Sequence, residues 1–477
     1  MLFHTIKIDL NAFEKKAVRF STSVGADELF DSLEKAVLKN MYIVVDESMH
    51  DYGPEQIIMR FLDKYKRFIE YYYVDMDVSH GRTYLKLKKP VHAGQQESYA
   101  DLEDMYTQDY YMNDCGGYDD FRNSDGTKIE QRLQDVYNLV NPDRTDRILD
   151  IGCGRGELSF ALSASGADVT GIDYSADAIK IAKKTFGGKR DNLRYIQADI
   201  FQMDQLNTYD KIVMADVVEH IENDVLERIF EKIASVLSPK GVLVVHTAPN
   251  KDYYDYHYPR MRQMASELGC YLPRNPRSYY EQLMHINEQS SETLRKTLES
   301  YFQHVRVWTG SIMEIDANKT LEESYQDNQI FGFACGQKEV LDKAVNEISA
   351  EPEYSRCSVE INANDIVVDG GVEAAYLDID ILNRGHELLT SRRKYPIFVS
   401  YHITDKDGTM LIYDGERTPI TDFVRKGSKR AITMKINLPD ILKEGNVYHV
   451  DITLVAEGCF WLDRDGKNRK KISMTIS

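Results

Sequence analysis

No stretch of this 477-residue chain approaches the roughly 18 consecutive apolar residues that a membrane-spanning helix needs. The opening segment, from Met1 to Lys7, lacks the apolar run of a secretory signal. Cysteine is sparse, and the six residues at 115, 153, 270, 335, 357 and 459 show no paired zinc-site spacing. Scattered thiols of this kind suit a reducing compartment, so the expected location is cytoplasmic, with no membrane insertion. Positive charge is also short: 59 Lys and Arg stand against 77 Asp and Glu, for a net charge of −18. Phosphate backbones and anionic lipid surfaces both demand basic patches, so no nucleic-acid partner is expected. What remains is an ordinary hydrophobic content of 42 %, enough for real cores in two to four domains.

The most informative stretch is 148–156. Ile148, Leu149 and Ile151 read as a buried parallel strand. Gly152, Gly154 and Gly156 follow at alternate positions, where backbone can turn tightly and approach a ligand. From Glu157 a helical pattern begins, through Leu158, Phe160, Ala161 and Leu162. The dinucleotide fingerprint is G-x-G-x-x-G, whose third glycine packs helix on sheet. Here the loop is D-x-G-x-G-x-G with Asp150 in front. This pattern resembles motif I of the class I S-adenosylmethionine-dependent methyltransferases. Later elements keep the resemblance. Val169–Ile172 predicts a second strand ending at Asp173, whose carboxylate can accept from two ribose hydroxyls. Leu193–Gln197 predicts a third, followed by Asp199 and Ile200, where that family meets the adenine amino group. Lys211–Ala215 predicts a fourth ending at Asp216, and Gly241–His246 a fifth. Val305–Trp308 and Ile330–Cys335 are expected to complete a seven-stranded sheet as an antiparallel pair. The resemblance covers about half the chain, roughly residues 105–338. It implies S-adenosyl-L-methionine as cofactor, held by Asp150, Gly152, Cys153, Gly154, Gly156, Asp173, Tyr174, Asp199, Ile200 and Asp216.

The expected architecture is multidomain: an α/β doubly wound Rossmann-like core at 96–338, between a small α/β region at 1–95 and an all-β sandwich at 355–477. A helical linker at 339–354 is broken by Pro352. In the first region Asp27–Lys39 and Glu55–Phe68 predict amphipathic helices, and Met41–Val45 and Arg82–Leu87 strands. Its role is not legible beyond an interaction or oligomerisation element. The bridge at 96–125 is crowded with Tyr106, Tyr110, Tyr111, Tyr118 and Phe121, rings suited to covering a cofactor or acceptor. After the fifth strand comes a long tyrosine-rich insertion, Pro249 to Asn287, at the sheet edge where such folds bind ligands.

From Cys357 on, the hydrophobic period drops to two, which predicts an antiparallel sandwich of roughly eight strands. Its phrases, such as Val399 to Gly408 and Ile452 to Leu462, are similar to the carbohydrate-binding domain of O-antigen ABC transporters. That likeness implies carbohydrate binding through exposed aromatics, for which Tyr401, Tyr413 and Trp461 are the candidates.

Methyl transfer to oxygen is helped by a base. Asp216, Glu219 and His220 fall at the mouth of the sheet, and His220 is the natural base because imidazole titrates near neutrality. The same D-x-x-E-H segment resembles the E-x-x-E-H metal-binding segment of the ubiquinone-pathway O-methyltransferases, which makes a divalent metal the optional second cofactor. Tyr111, Asn250, His257 and His285 are the candidates for the acceptor pocket. The expected activity is O-methylation of a sugar hydroxyl in polysaccharide biosynthesis, on a surface glycan or its lipid-linked or nucleotide-linked precursor. One alternative is a small phenolic or quinone-like acceptor. The other is a glycan-binding or chain-length-regulating protein whose methyltransferase fold is secondary. A second copy of the chain is an optional partner.

Overall fold

The computed structural model describes residues 17–20, 25–37, 42–46, 54–65, 70–77, 82–88, 105–113, 115–202 and 208–477. Among these, no helix is long and apolar enough to cross a membrane. Near the N-terminus, β1 (Ala17–Phe20), β2 (Tyr42–Asp46), β3 (Glu70–Asp77) and β4 (Arg82–Lys88) form a sheet in the order β1-β2-β4-β3. Helices Ala26–Val37 and Pro54–Tyr65 bury Leu29, Phe30, Leu33, Ile57 and Phe61. These spacings of three and four place the apolar side chains on one face of each helix.

The central sheet contains β5 (Arg147–Ile151), β6 (Asp168–Asp173), β7 (Leu193–Gln197), β8 (Tyr209–Ala215), β9 (Leu237–Thr247), β10 (His304–Thr309) and β11 (Ile330–Cys335). Its order is β10-β11-β9-β8-β5-β6-β7, and β5 to β9 pair in parallel. β5 therefore has β6 on one side and β8 on the other. The strand order reverses there, and the crevice at such a reversal is where open α/β sheets take ligands. β9 starts earlier than its apolar run, because helix Asn223–Val236 passes into it without a loop. The aromatic bridge carries two short helices, Gln108–Asn113 and Tyr118–Ser124. The insertion after β9 carries a π-turn at Tyr253–His257 and helices Tyr258–Glu267 and Tyr279–Met284.

Two compact units emerge. One takes in the described residues of 1–130 with Pro142–Tyr301 and Lys319–Gly332; the other takes in Gln131–Asn141, Phe302–Asn318 and Phe333–Ser477. Ion pairs explain why helix Gln131–Val140 belongs to the second unit. Arg392 forks onto Asp135, and Arg425 reaches both Glu347 at 2.9 Å and the Asn138 carbonyl at 3.1 Å.

The C-terminal region has ten strands rather than about eight. β12 (Val359–Asn362), β14 (Ala374–Asn383) and β18 (Lys429–Asn437) form one sheet. The other follows β13 (Ile366–Val368), β21 (Lys470–Ile476), β19 (Val447–Ala456), β15 (Ile397–Thr404) and β16 (Met410–Ile412). Short strands β17 (Thr418–Pro419) and β20 (Phe460–Trp461) add to β15 and β19. The sandwich is not wholly antiparallel, since β13 pairs with β21 in parallel. Tyr401 also departs from expectation. It shares the inward parity of Ile397, Val399 and Ile403, is buried, and its hydroxyl accepts the Asn437 N–H at 2.8 Å.

Arg393 is buried, donating to Glu387 at 2.6 Å and to the Leu388 and Ala350 carbonyls. Glu387→Ala strands that guanidinium in the interior and should cost about 3–5 kcal/mol. Glu360→Ala removes the exposed Arg384 pair and should cost about 0–1 kcal/mol. Chemical denaturation of the two variants checks the contrast; equal losses would contradict it.

Candidate active site

The three loop glycines differ in what they permit. All have positive φ, at 69° for Gly152, 51° for Gly154 and 87° for Gly156. A Cβ on Gly152 would meet Val217 at 2.5 Å, and one on Gly156 would meet Tyr195 at 2.6 Å, so both positions are closed by packing. A Cβ on Gly154 would touch only the Tyr111 ring, at 3.7 Å. Gly154 is therefore the point where the loop faces open space, with Tyr111 above it.

Asp173, at the end of β6, accepts the Gly154 N–H at 3.0 Å and the Ser175 N–H at 2.9 Å. Each oxygen keeps further lone-pair capacity. Burial raises the Asp173 carboxyl above its ordinary value, and the two N–H donors oppose that. Asp150 lies beneath the loop. It is buried, accepts the Ser159 hydroxyl at 2.5 Å, and is pushed up to about 7 by burial. Cys153 is buried too, and its N–H donates to the Ile172 carbonyl. Asp199 is exposed and accepts the Phe201 N–H, while Ile200 is buried beside it.

Arg155 and Ser175, which the sequence did not single out, help hold this side together. Arg155, only 3 % exposed, donates to the carbonyls of Tyr111, Cys115 and Gly116 and pairs with Glu157 at 2.7 Å. It pins the aromatic bridge to the glycine loop. Tyr106 stands edge-on to Tyr174 at 5.3 Å and to His220 at 5.9 Å, so one ring spans the Asp173 side and the β8 mouth. The Ser175 hydroxyl donates to the Tyr106 carbonyl at 2.9 Å.

At the β8 mouth the predicted trio divides. Asp216 adopts φ 56° and accepts from His246 Nδ1 at 2.6 Å. Glu219 is buried and accepts the Thr247 hydroxyl at 2.8 Å. His220 Nδ1 lies 3.1 Å from the Met284 carbonyl. A carbonyl only accepts, so Nδ1 carries the proton and Nε2 keeps its lone pair. His285 packs edge-on to His220 at 4.8 Å, with Nδ1 3.6 Å from Glu288. Among the described residues, Glu219, His220 and His285 bring ligand atoms within 4.8 Å of one another. The expected metal trio is thus corrected: Asp216 faces His246, and His285 stands in its place. A second correction concerns basicity. Burial, reinforced by His285, lowers His220 to about 4, well below the neutral range.

The remaining acceptor candidates are Asn250 and His257. Asn250 is buried, and its amide donates to the Ser324 and Asp327 carbonyls, fastening a neighbouring loop. His257 sits in the π-turn against Tyr253, ring centroids 5.2 Å apart.

Residues 148–241, from β5 into β9, match the family model described as a methyltransferase domain. Curated relatives include the ubiquinone biosynthesis O-methyltransferase of Rickettsia canadensis (strain McKiel), 26 % identical over 25 % of this chain and 50 % of that protein. The mitochondrial enzyme of the same name from Schizosaccharomyces pombe is 37 % identical over 24 % of this chain and 42 % of that protein. The chain thus spans about half the length of the curated relatives it matches. Among solved structures, magnesium protoporphyrin IX methyltransferase from Synechocystis PCC 6803 with bound SAH is 18 % identical. It covers 48 % of this chain and 98 % of that chain, with a TM-score of 0.32.

The depressed His220 value has a consequence for stability. Between about 6.5 and about 4 the unfolded chain takes a proton on this ring that the folded chain refuses. The stability tied to neutral His220 is complete above pH 6.5 and is lost as pH falls through that window. Thermal unfolding followed from pH 8 to pH 4 should show a steeper acid loss in the wild type than in His220→Asn. Parallel curves would contradict the buried neutral ring.

Proposed function

We propose that the protein is an S-adenosylmethionine-dependent O-methyltransferase acting on a small ring hydroxyl of phenolic or quinone-like type. The cofactor, when bound, supplies an activated methyl on a sulfonium. Asp173 would hold the ribose hydroxyls, with its orientation fixed by the Gly154 and Ser175 N–H groups. Gly154 leaves room for the methionyl part, and the exposed Asp199 stands ready for the adenine amino group. With no cation bound, His220 Nε2 would take the proton of the acceptor hydroxyl.

The observation that supports the acceptor class is the Glu219, His220 and His285 grouping at the β8 mouth, where burial also weakens the His220 base. A ring lowered to about 4 can help deprotonate a phenol, which ionises near 10, far better than a sugar hydroxyl, which is much less acidic. The names of the curated relatives point the same way. The Glu219, His220 and His285 grouping would take a divalent cation, which lowers a bound hydroxyl's pKa further. Nε2 of His220 is the nitrogen left for it, since Nδ1 serves Met284.

A second reading is a sugar acceptor, and one feature of the sandwich favours it. Tyr413 is 57 % exposed, with His402 stacked on it at 4.6 Å and Trp461 nearby at 5.7 Å. Arg417 lies over Trp461 at 5.1 Å. Rigid aromatic faces beside charged groups suit sugar rings.

Calorimetry with S-adenosylhomocysteine tests the cofactor. Asp173→Ala should weaken binding by about 1–3 kcal/mol, and Gly154→Leu should abolish it. Unchanged affinity in both would sink the assignment. With catechol as acceptor, turnover lost on chelation and restored by Mg2+ would establish the metal route. Turnover indifferent to chelation but lowered about 100-fold by His220→Ala would assign the step to the base alone.

A further inference from the structure

The two ends of the insertion after β9 are tied to each other, and the second is tied to the site. The Lys251 N–H donates to the Gln289 carbonyl at 2.8 Å, and the Asn287 N–H donates to the Glu219 carbonyl at 3.0 Å. Met284 receives His220 Nδ1, and His285 packs on the His220 ring. The middle of the insertion is different. Helix Tyr258–Glu267 buries only Tyr258, and 268–277 has no regular structure. Its own fastening is a Tyr258 hydroxyl to the Pro273 carbonyl, Arg262 to the Leu272 carbonyl and, at its far end, the Arg277 fork onto Glu288.

What anchors the middle comes from the N-terminal helical pair. Tyr271 is buried and packs on Phe30 at 5.9 Å, in the apolar seam that Phe30 shares with Phe61. Asp27 collects three donors: Arg262 at 2.8 Å, Arg274 at 2.9 Å and the Tyr271 hydroxyl at 3.1 Å. Gln56 bonds the Gly269 carbonyl at 3.0 Å and the Tyr271 N–H at 3.1 Å. Two cationic donors on one carboxylate are the stronger kind of hydrogen bond, and their geometry fixes the segment rather than merely touching it.

We propose that the N-terminal helical pair is the acceptor-positioning element, with Asp27 holding the Arg262 to Arg274 stretch so that the insertion stays set over Glu219 and His220. Asp27 is a positioning residue and touches no reacting atom. The glycine loop and Asp173 are built from other elements, so the cofactor side does not depend on it. The inference rests on the O-methyltransferase reading given above.

The test compares full-length wild type with Asp27→Ala and Glu28→Ala. Glu28 is exposed in the same first helical turn, so its loss reproduces any effect on the helix end without touching the insertion. In Asp27→Ala, amide hydrogen exchange over 258–277 should quicken about tenfold. The KM for catechol should rise about fivefold with kcat little changed, and S-adenosylhomocysteine affinity should stay within about twofold. Glu28→Ala should behave as wild type. Arg274→Gln, at an exposed side chain, should move exchange in the same direction by less. Unchanged exchange in Asp27→Ala overturns the proposal, as does a parallel loss of S-adenosylhomocysteine affinity or an equal effect of Glu28→Ala. A wild type that binds S-adenosylhomocysteine and leaves catechol unmethylated would contradict the phenolic reading, and the exchange result would then decide the brace alone.

Discussion

The buried guanidinium of Arg155 is the interaction on which the cofactor side of the site depends. It lies inside the glycine loop and collects three carbonyls from a bridge about forty residues upstream, with Glu157 balancing its charge. Those bonds hold the bridge where Tyr111 faces Gly154. The neighbouring Tyr106 then carries the aromatic wall across to His220. Loop, wall and β8 mouth are thus one connected surface, although they come from separate stretches of sequence.

The electrostatics of that surface favour neutral groups. Burial raises Asp150 and Asp173 and lowers His220, each in the direction that disfavours charge. Asp216 receives His246, whose Nε2 finds no hydrogen-bond partner in the interior. A site of this kind gives up basicity at His220, which suits an acidic or cation-assisted hydroxyl better than a plain alcohol.

Part of the central sheet was legible because buried strands read as apolar runs, as Ile330–Cys335 does with the bounds its residues predict. Leu193–Gln197 also has its predicted bounds, although most of it is exposed. The glycine spacing placed the loop for the same local reason. Tyr401 was also legible in principle, since its parity with Val399 and Ile403 sends it inward. What sequence could not supply was partnership across distance. Met284 receives His220 from 64 positions away, and Arg392 reaches Asp135 from 257. His285 displaces Asp216 from the candidate metal grouping for that reason. The low His220 value likewise follows from surroundings that only the fold assembles. The N-terminal helices showed their apolar faces plainly, but an amphipathic face does not say what lies against its polar edge.

The loop after β5 and the carboxylate of Asp173 are proposed above to form a nucleoside-thioether site. The most direct measurement is a crystal structure of the full chain with S-adenosylhomocysteine. The ribose hydroxyls should lie within hydrogen-bond distance of Asp173, and the thioether beside Gly154 under the Tyr111 ring. Density for the ligand elsewhere, or a ribose with no contact to Asp173, would contradict it.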